Sequence, residues 1–419
     1  MCNAPRFSIK VLLAGILLAA LGSYAFASKR ERTLYDFLGG DNGNQPQTGV
    51  VFDGQGNIYG TTYYGGSYGW GTVFSLEPTS HGWKQKVLYS FLGSSDGFNP
   101  VGNLLIDANG NLYGTTLYGG TGVGCTPGSY DCGGTVFALK AENGIWKHEV
   151  LYSFCSVSGC ADGAAPYGLA FDKAGNLIGS TDAGGTSCEY GCGTVYKLTR
   201  SKQGWTEKVL HQFSTEGDGY YPGLGGVSLD ASGNIYGTTY AGGATGYGIV
   251  FELKPGKHGW NELVLYNFTG SGNEDPTSGL TLDGKGNIYG TTLGGTNTCS
   301  DSPCGAIFEL TYSHHQWNET IIHEFEGSDG DYPNPNLVLG KGETLYGTTL
   351  FGGKYGYGVA YRMQHKKGWE IGVLHSFGGV GDGADPMAGL IFGLHGNLYG
   401  TTSSFYDSQY EGSVFEIVP

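Results

Sequence analysis

The sequence predicts an all-β protein: a seven-bladed β-propeller of four-stranded antiparallel blades, closed by the N-terminal strand pairing into the last blade. Three observations lead there. A six-residue motif, first seen as Asn57-Ile58-Tyr59-Gly60-Thr61-Thr62, returns along the whole chain. Each copy is flanked by β-branched and aromatic runs without a sustained 3.6-residue period. The repeats open on a lone fourth strand and end on a third, so the two ends complete one blade.

The motif glycines fall at 60, 114, 179, 237, 290, 347 and 400. Within each repeat an apolar run comes first, as in Gly49-Val50-Val51-Phe52-Asp53. A Gly-Asn turn suited to a hairpin leads to the Tyr-Gly-Thr-Thr strand. A Gly-Gly loop and a third strand follow, as in Gly71-Thr72-Val73-Phe74-Ser75-Leu76, and a Gly-Trp turn leads to the fourth, as in Lys86 to Phe91. Four antiparallel strands per repeat describe a propeller blade. The segment Thr33 to Phe37 is the unpaired fourth strand, and Gly412 to Ile417 is the third strand it would join. Such closure removes two exposed edges and any need for capping repeats.

Composition agrees. Of 419 residues, 79 are glycine and 14% are aromatic, which excludes a disordered chain. The 14 prolines are too few for collagen. A formal charge of −15 argues against a nucleic-acid partner. Arg6 and Lys10 precede an apolar run from Val11 to Leu21 and then Ala25-Phe26-Ala27, the pattern of a cleaved signal peptide. Residues 1–27 are therefore expected to be the signal and 28–419 the propeller, secreted to the extracellular space, the periplasm or the cell surface. The apolar run is shorter than the ~20 residues that span a bilayer. A retained anchor is the rival reading, and no span is expected after cleavage.

Beyond Cys2, eight cysteines form close pairs, Cys125/Cys132, Cys155/Cys160, Cys188/Cys192 and Cys299/Cys304, which suits local disulfides in an oxidising compartment. They sit in different repeats with no histidine close in sequence, which disfavours zinc.

The run D-x-x-G-N-[IL]-Y-G-T-T-x-x-G-G followed by G-T-V-F spans Asp53 to Gly66 with Gly71 to Phe74, and Asp107 to Gly120 with Gly134 to Phe137. It resembles the Gloeobacter/Verrucomicrobia tandem repeat, and the likeness covers essentially the whole mature chain. The resemblance implies a secreted or surface-displayed bacterial protein of unestablished activity. Some relatives carry a C-terminal sorting anchor, whereas this sequence ends at Val418-Pro419.

Strand parity sorts the loops. The 2–3 loops and 4–1 connections share one face of the disc, and all four cysteine pairs fall there. Variable loops on a rigid scaffold are where binding usually resides. Tyr63, Tyr64, Tyr68 and Trp70 crowd one such loop, and Tyr118 is a counterpart in the next repeat. Aromatic platforms of this kind stack on sugar faces, so these five are the candidate ligand contacts. The same face repeats Asp-Gly-x-x-Pro, for example from Asp96 to Pro100. The plain reading is a turn held by aspartate and proline. The alternative is Ca²⁺ binding, for which Asp329 with Asp331, or Asp382 with Asp385, are the best candidates. No other cofactor is expected. His211, His323 and His375 replace a strand-4 tyrosine on separate blades and read as structural. No nucleophile elbow, zinc-protease helix or phosphate loop is present. The expected role is a monomeric binding or scaffolding module for a polysaccharide or a surface protein. The alternative is a carbohydrate-active enzyme, a glycoside hydrolase or lyase, acting on the disulfide-bearing face.

Overall fold

In the computed structural model, the described residues are 31–419 except 124–132, 189–190, 216, 223–224, 271, 273, 278, 300–301, 380 and 405–410. Cys125 and Cys132 lie outside them. The described strands form seven antiparallel blades, each running from an inner strand at the axis to an outer fourth strand. Blade 2 shows the plan: Phe98–Ile106, Leu112–Tyr118, Thr135–Glu142 and Ile145–Ser153 pair in sequence order. In blade 7, Ile391–Phe392, Leu398–Thr402 and Ser413–Ile417 are joined by Glu31–Asp36 as the outer strand. The closing pair is in register from Glu31 opposite Ile417 to Asp36 opposite Ser413. Ring closure by the first strand is therefore present.

The motifs map onto contacts within and between blades. The first threonine of Gly-Thr-Thr reaches the inner strands: Thr115 donates to the Val101 carbonyl, and Thr401 crosses from blade 7 to the Thr48 carbonyl of blade 1. The second bonds the third strand, as Thr62 does to Thr72 at 2.8 Å. The aromatic residue of Gly-Thr-Val-Phe brings the tip of its ring against the motif glycine. A Cβ on Gly60 would stand 2.6 Å from the Phe74 ring, which fixes glycine there.

Blades are joined by a repeated aromatic pair. The phenylalanine ending each fourth strand packs edge-on against the third-strand aromatic of the next blade: Phe91 on Phe137 at 5.2 Å, Phe213 on Phe251 at 5.1 Å and Phe325 on Tyr361 at 5.3 Å. Phe37 on Phe74 at 5.0 Å and Phe377 on Phe415 at 4.9 Å carry the pattern through the closure. Each pair contributes about 0.5–1.5 kcal/mol beyond its burial. The tryptophans at the start of strand 4 also pack between blades, with Trp146 beside Tyr59 and Trp369 beside Tyr289.

A second clasp operates on the loop face. The proline of Asp-Gly-x-x-Pro lies against the glycine that opens the third strand of the preceding blade. A Cβ on Gly305 would stand 2.2 Å from Pro333 Cδ, on Gly193 2.4 Å from Pro222, and on Gly412 2.5 Å from Pro46. The residue before the proline has φ near +55° at Gln45, Asn99, Ala165, Tyr221, Asp275, Tyr332 and Asp385. This unfavourable backbone is held by a bond between blades, as in Tyr332 N to Cys304 O at 3.0 Å and Asn99 N to Trp70 O at 3.0 Å. Asp-Gly-x-x-Pro and Gly-Thr-Val-Phe are thus two halves of one lock.

Candidate functional site

Inner strands converge on the axis at the position four residues before each Gly-Asn turn's leading residue. Glycine fills it at 49, 168, 226, 279 and 389, and asparagine at 103 and 336. Backbones touch there: a Cβ on Gly168 would meet Gly226 Cα at 2.9 Å. Asn103 Oδ1 accepts the Gly49 amide at 2.7 Å, linking the neighbouring blades 1 and 2 beside the axis. Around this ring lies a cavity of about 590 Å³ to which all seven blades contribute. Its wall includes Tyr63, Tyr167 and Tyr332 with Leu117, Leu293 and Leu350. Tyr63 and the three leucines share one position, the residue after Gly-Thr-Thr, at the loop-face end of the second strand. Asp182 and Tyr240 occupy the same position in blades 3 and 4.

Two tyrosine–aspartate groups result. In one, burial and then the charge of Asp182 raise the Tyr167 hydroxyl pKa, with Tyr118 and Tyr63 also close enough to act. Burial alone pushes the Asp182 carboxyl up to about 6. In the other, burial, Asp275 and Tyr332 raise Tyr240, while burial and Glu274 raise Asp275.

The five aromatic candidates divide. Tyr63 lines the cavity and meets Tyr64 edge-on at 4.7 Å. Tyr64 and Tyr68 are exposed. Trp70 packs on Phe98 of the next blade at 4.9 Å, and Phe98 on Tyr118 of its own blade at 5.5 Å, so Trp70 ties two blades together and Tyr118 backs that contact.

The four acidic candidates are also spread out. Asp329 Oδ2 lies 2.9 Å from His323 Nε2, and Asp382 Oδ2 lies 3.1 Å from His375 Nε2. Asp385 is buried, and its carbonyl accepts the Ser403 amide. Asp331 is half-buried beside the Cys299–Cys304 disulfide, and burial pushes its carboxyl up to about 6. Among the described residues, no cluster of three potential metal ligands contains both members of either aspartate pair. Asp382 instead groups with His375 and Glu31, a nitrogen-containing set unlike the all-oxygen shell that calcium favours.

The histidines and Asp-Gly-x-x-Pro aspartates, separate features in sequence, meet in space. The strand-4 Tyr89 and Tyr152 hydroxyls donate to Asp96 and Asp162 at 2.8 Å each. His211, His323 and His375 face Asp218, Asp329 and Asp382 in the same way. The next blade's outer strand adds a third group at several junctions: His148 stacked on Tyr89, Glu207 near Asp162, and Glu262 beside His211 and Asp218. Burial and then Asp162 push Glu207 up to about 7, and burial with the Asp218 charge outweighs His211 to push Glu262 there too. Burial holds His148 down at about 4, so it is neutral at pH 7. The Gly-Asn turns on the opposite face are self-contained: Asp53 Oδ1 accepts the Gln55 and Asn57 amides, and Oδ2 accepts the Asn57 side chain.

Disulfides Cys155–Cys160, Cys188–Cys192 and Cys299–Cys304 are formed on the loop face. Among the described residues no helix is long and apolar enough to cross a membrane.

The Gloeobacter/Verrucomicrobia repeat is matched over residues 21–159, 121–318 and 294–419. The chain belongs to this repeat family. No curated protein matches its sequence. Among solved structures, the extracellular domain of what is described as a hybrid two component system from B. thetaiotaomicron is similar, with TM-score 0.54 and 12% identity over 89% of this chain. This chain spans 40% of that one. A polysaccharide lyase, an ulvan lyase bound to -[GlcA(1-4)Rha3S]-, is similar with TM-score 0.52 and 12% identity, covering 88% of this chain and 89% of that one. At such identity the likeness extends to the fold. This member of the repeat family thus folds as a propeller with Tyr63, Tyr167 and Tyr332 in the wall of its axial cavity.

Residues sequence reasoning missed are Tyr167, Asp182, Tyr240 and Tyr332. Their signal was available at three fixed repeat positions: after Gly-Thr-Thr for Asp182 and Tyr240, just before the loop proline for Tyr332, and just after it for Tyr167.

Proposed function

We propose that this repeat-family protein is a secreted, non-enzymatic glycan-binding propeller, with residues 1–27 removed as a signal and 28–419 forming the monomeric binding domain. The ligand enters from the disulfide-bearing face at the axial cavity. The observation that carries this reading is the wall of Tyr63, Tyr167 and Tyr332 at a cavity shared by every blade. Tyrosine rings offer flat apolar faces to sugar rings and hydroxyls to their rims. Exposed Tyr64 and Tyr68 extend the platform outward, and Trp70 and Tyr118 set its backing. Three loop disulfides and a saccharide bound to a propeller of similar fold support an extracellular, carbohydrate-related role.

The test is a glycan-array screen of the mature protein, with calcium and with chelator, repeated on Tyr63→Ala and Tyr167→Ala. Specific retention of a polysaccharide fragment that both substitutions weaken at least tenfold is expected. Retention unaffected by either would refute the axial site. Loss of binding in chelator would bring Asp329, Asp331, Asp382 and Asp385 in as calcium ligands. A carbohydrate-active enzyme is the second reading, favoured by the Asp182 carboxyl held near 6 next to Tyr167. Release of shortened product in the same screen would select it.

A further inference from the structure

We infer that two junctions between blades are sites for a divalent transition-metal ion, with zinc the best fit, held by His211, Asp218 and Glu262 at one and by His375, Asp382 and Glu31 at the other. The inference stands apart from the glycan reading, because both sites lie at the outer strands and not at the axis. At each junction the three ligand atoms lie within 4.8 Å of one another. The same construction is used twice. A histidine on one fourth strand faces the aspartate of the following connection, and a glutamate from the next blade's fourth strand comes in beside them. Glu262 stands opposite Leu253 and Glu31 opposite Ile417, the same register position in blades 4 and 7. The second site therefore includes the strand that closes the ring.

The arrangement of these atoms is that of a metal site. His211 Nε2 is buried 3.3 Å from Asp218 Oδ2 but outside hydrogen-bond geometry, and Glu262 Oε1 is buried without a hydrogen-bond partner. Two ligands of a tetrahedral zinc, each about 2.0–2.1 Å from the ion, stand about 3.3–3.4 Å apart. At the closing junction the histidine–aspartate pair is 3.1 Å apart, and Glu31 is 1% exposed. Two buried carboxylates beside one imidazole leave an excess of negative charge that a divalent ion cancels. Burial, opposed by His211 and reinforced by Asp218, pushes the Glu262 carboxyl up to about 7, so without a cation the ionised glutamate costs stability. Imidazole with carboxylates suits zinc, whereas calcium prefers oxygen alone. The histidines and aspartates are partly exposed, which leaves water as the fourth ligand. Other junctions lack one member of the set. Ile371, opposite Met363, takes the glutamate's place beside His323 and Asp329, and Tyr152 takes the histidine's beside Asp162 and Glu207. The remaining group, Cys299, Cys304 and Asp331, has both sulfurs in a disulfide and offers no thiolate.

The experiment strips the mature protein with EDTA and titrates it with zinc chloride by calorimetry, with bound metal counted by mass spectrometry after desalting. The parent should bind two zinc ions per chain, one at each junction, and should prefer zinc to calcium by about a hundredfold or more. With zinc at a hundredfold excess over Kd it should melt about 3 °C or more above the EDTA-treated protein. His211→Tyr and His375→Tyr should each remove one ion, and the double variant both. Tyrosine holds the aspartate in blades 1 and 2, so these variants keep the fold and, in EDTA, melt close to the parent. Glu262→Gln should also remove one ion, and it decides the first site if the histidine variants unfold. His323→Tyr should remove none. A parent that binds no zinc would overturn the inference, as would zinc retained in full by the double histidine variant or by Glu262→Gln. Loss of an ion in His323→Tyr, or calcium bound as tightly as zinc, would overturn it too.

Discussion

Replacing Glu262 with glutamine should stabilise the protein at pH 8 and leave it unchanged at pH 4. Glu262 is caught between blades, facing His211 and Asp218, and burial with the Asp218 charge outweighs the histidine to hold its carboxyl at about 7 instead of the ordinary 4.5. The unfolded chain releases this proton near 4.5, while the folded protein keeps it until about 7. Below 4.5 both states are protonated and the group carries no penalty. Between the two values stability falls as pH rises, and above 7 the full penalty is present. The pKa difference corresponds to a ceiling of roughly 3 kcal/mol. Partial solvent access reduces this to about 1–2 kcal/mol. Glutamine mimics the neutral acid, so urea unfolding should show that gain at pH 8 and none at pH 4. Glu207→Gln should behave alike, since burial and Asp162 hold its carboxyl at about 7 as well. A destabilised Glu262→Gln at pH 8 would refute the reasoning, because it would mean that the ionised carboxylate is held by a favourable ion pair.

Two further outcomes follow from the blade contacts. Gly305→Ala should cost about 2–4 kcal/mol, combining a left-handed backbone with a Cβ driven into Pro333, whereas Gly144→Ala meets nothing within 4 Å and should cost only about 1–2 kcal/mol; denaturant unfolding of the two variants compares them. His323→Tyr should stay within about 0.5 kcal/mol of the parent, because tyrosine makes the same bond to aspartate in blades 1 and 2, while His323→Ala should lose about 1–2 kcal/mol in the same measurement.

The fold was legible because each blade repeats the same local chemistry. Asn-x-Tyr-Gly-Thr-Thr announces its strand seven times, and strand order then leaves one place for Glu31–Asp36. What the sequence hid were the contacts between repeats. Pro333 and Gly305 lie in different blades, and nothing local to either says that one rests on the other. The same holds for His323 with Asp329, six residues apart but separated by a turn whose path only the packed blade sets. The candidate site was legible as a face, because the cysteines and variable loops share strand parity. Its centre was not: Tyr167 comes within reach of Tyr118 and Tyr63, and Tyr240 of Tyr332, only once separate blades pack around one axis. Trp70, prominent in the sequence, is turned instead toward Phe98.

The axial mouth exists because Glu31–Asp36 completes the seventh blade. Thermal unfolding of a mature chain lacking residues 28–38 measures this directly. Removing Glu31–Asp36 and Phe37 takes away the outer strand against Ser413–Ile417 and the aromatic pair with Phe74. The shortened chain should melt well below the intact one, and its unfolding should lose the single cooperative transition. Melting at the same temperature with the same cooperativity would contradict the closed ring.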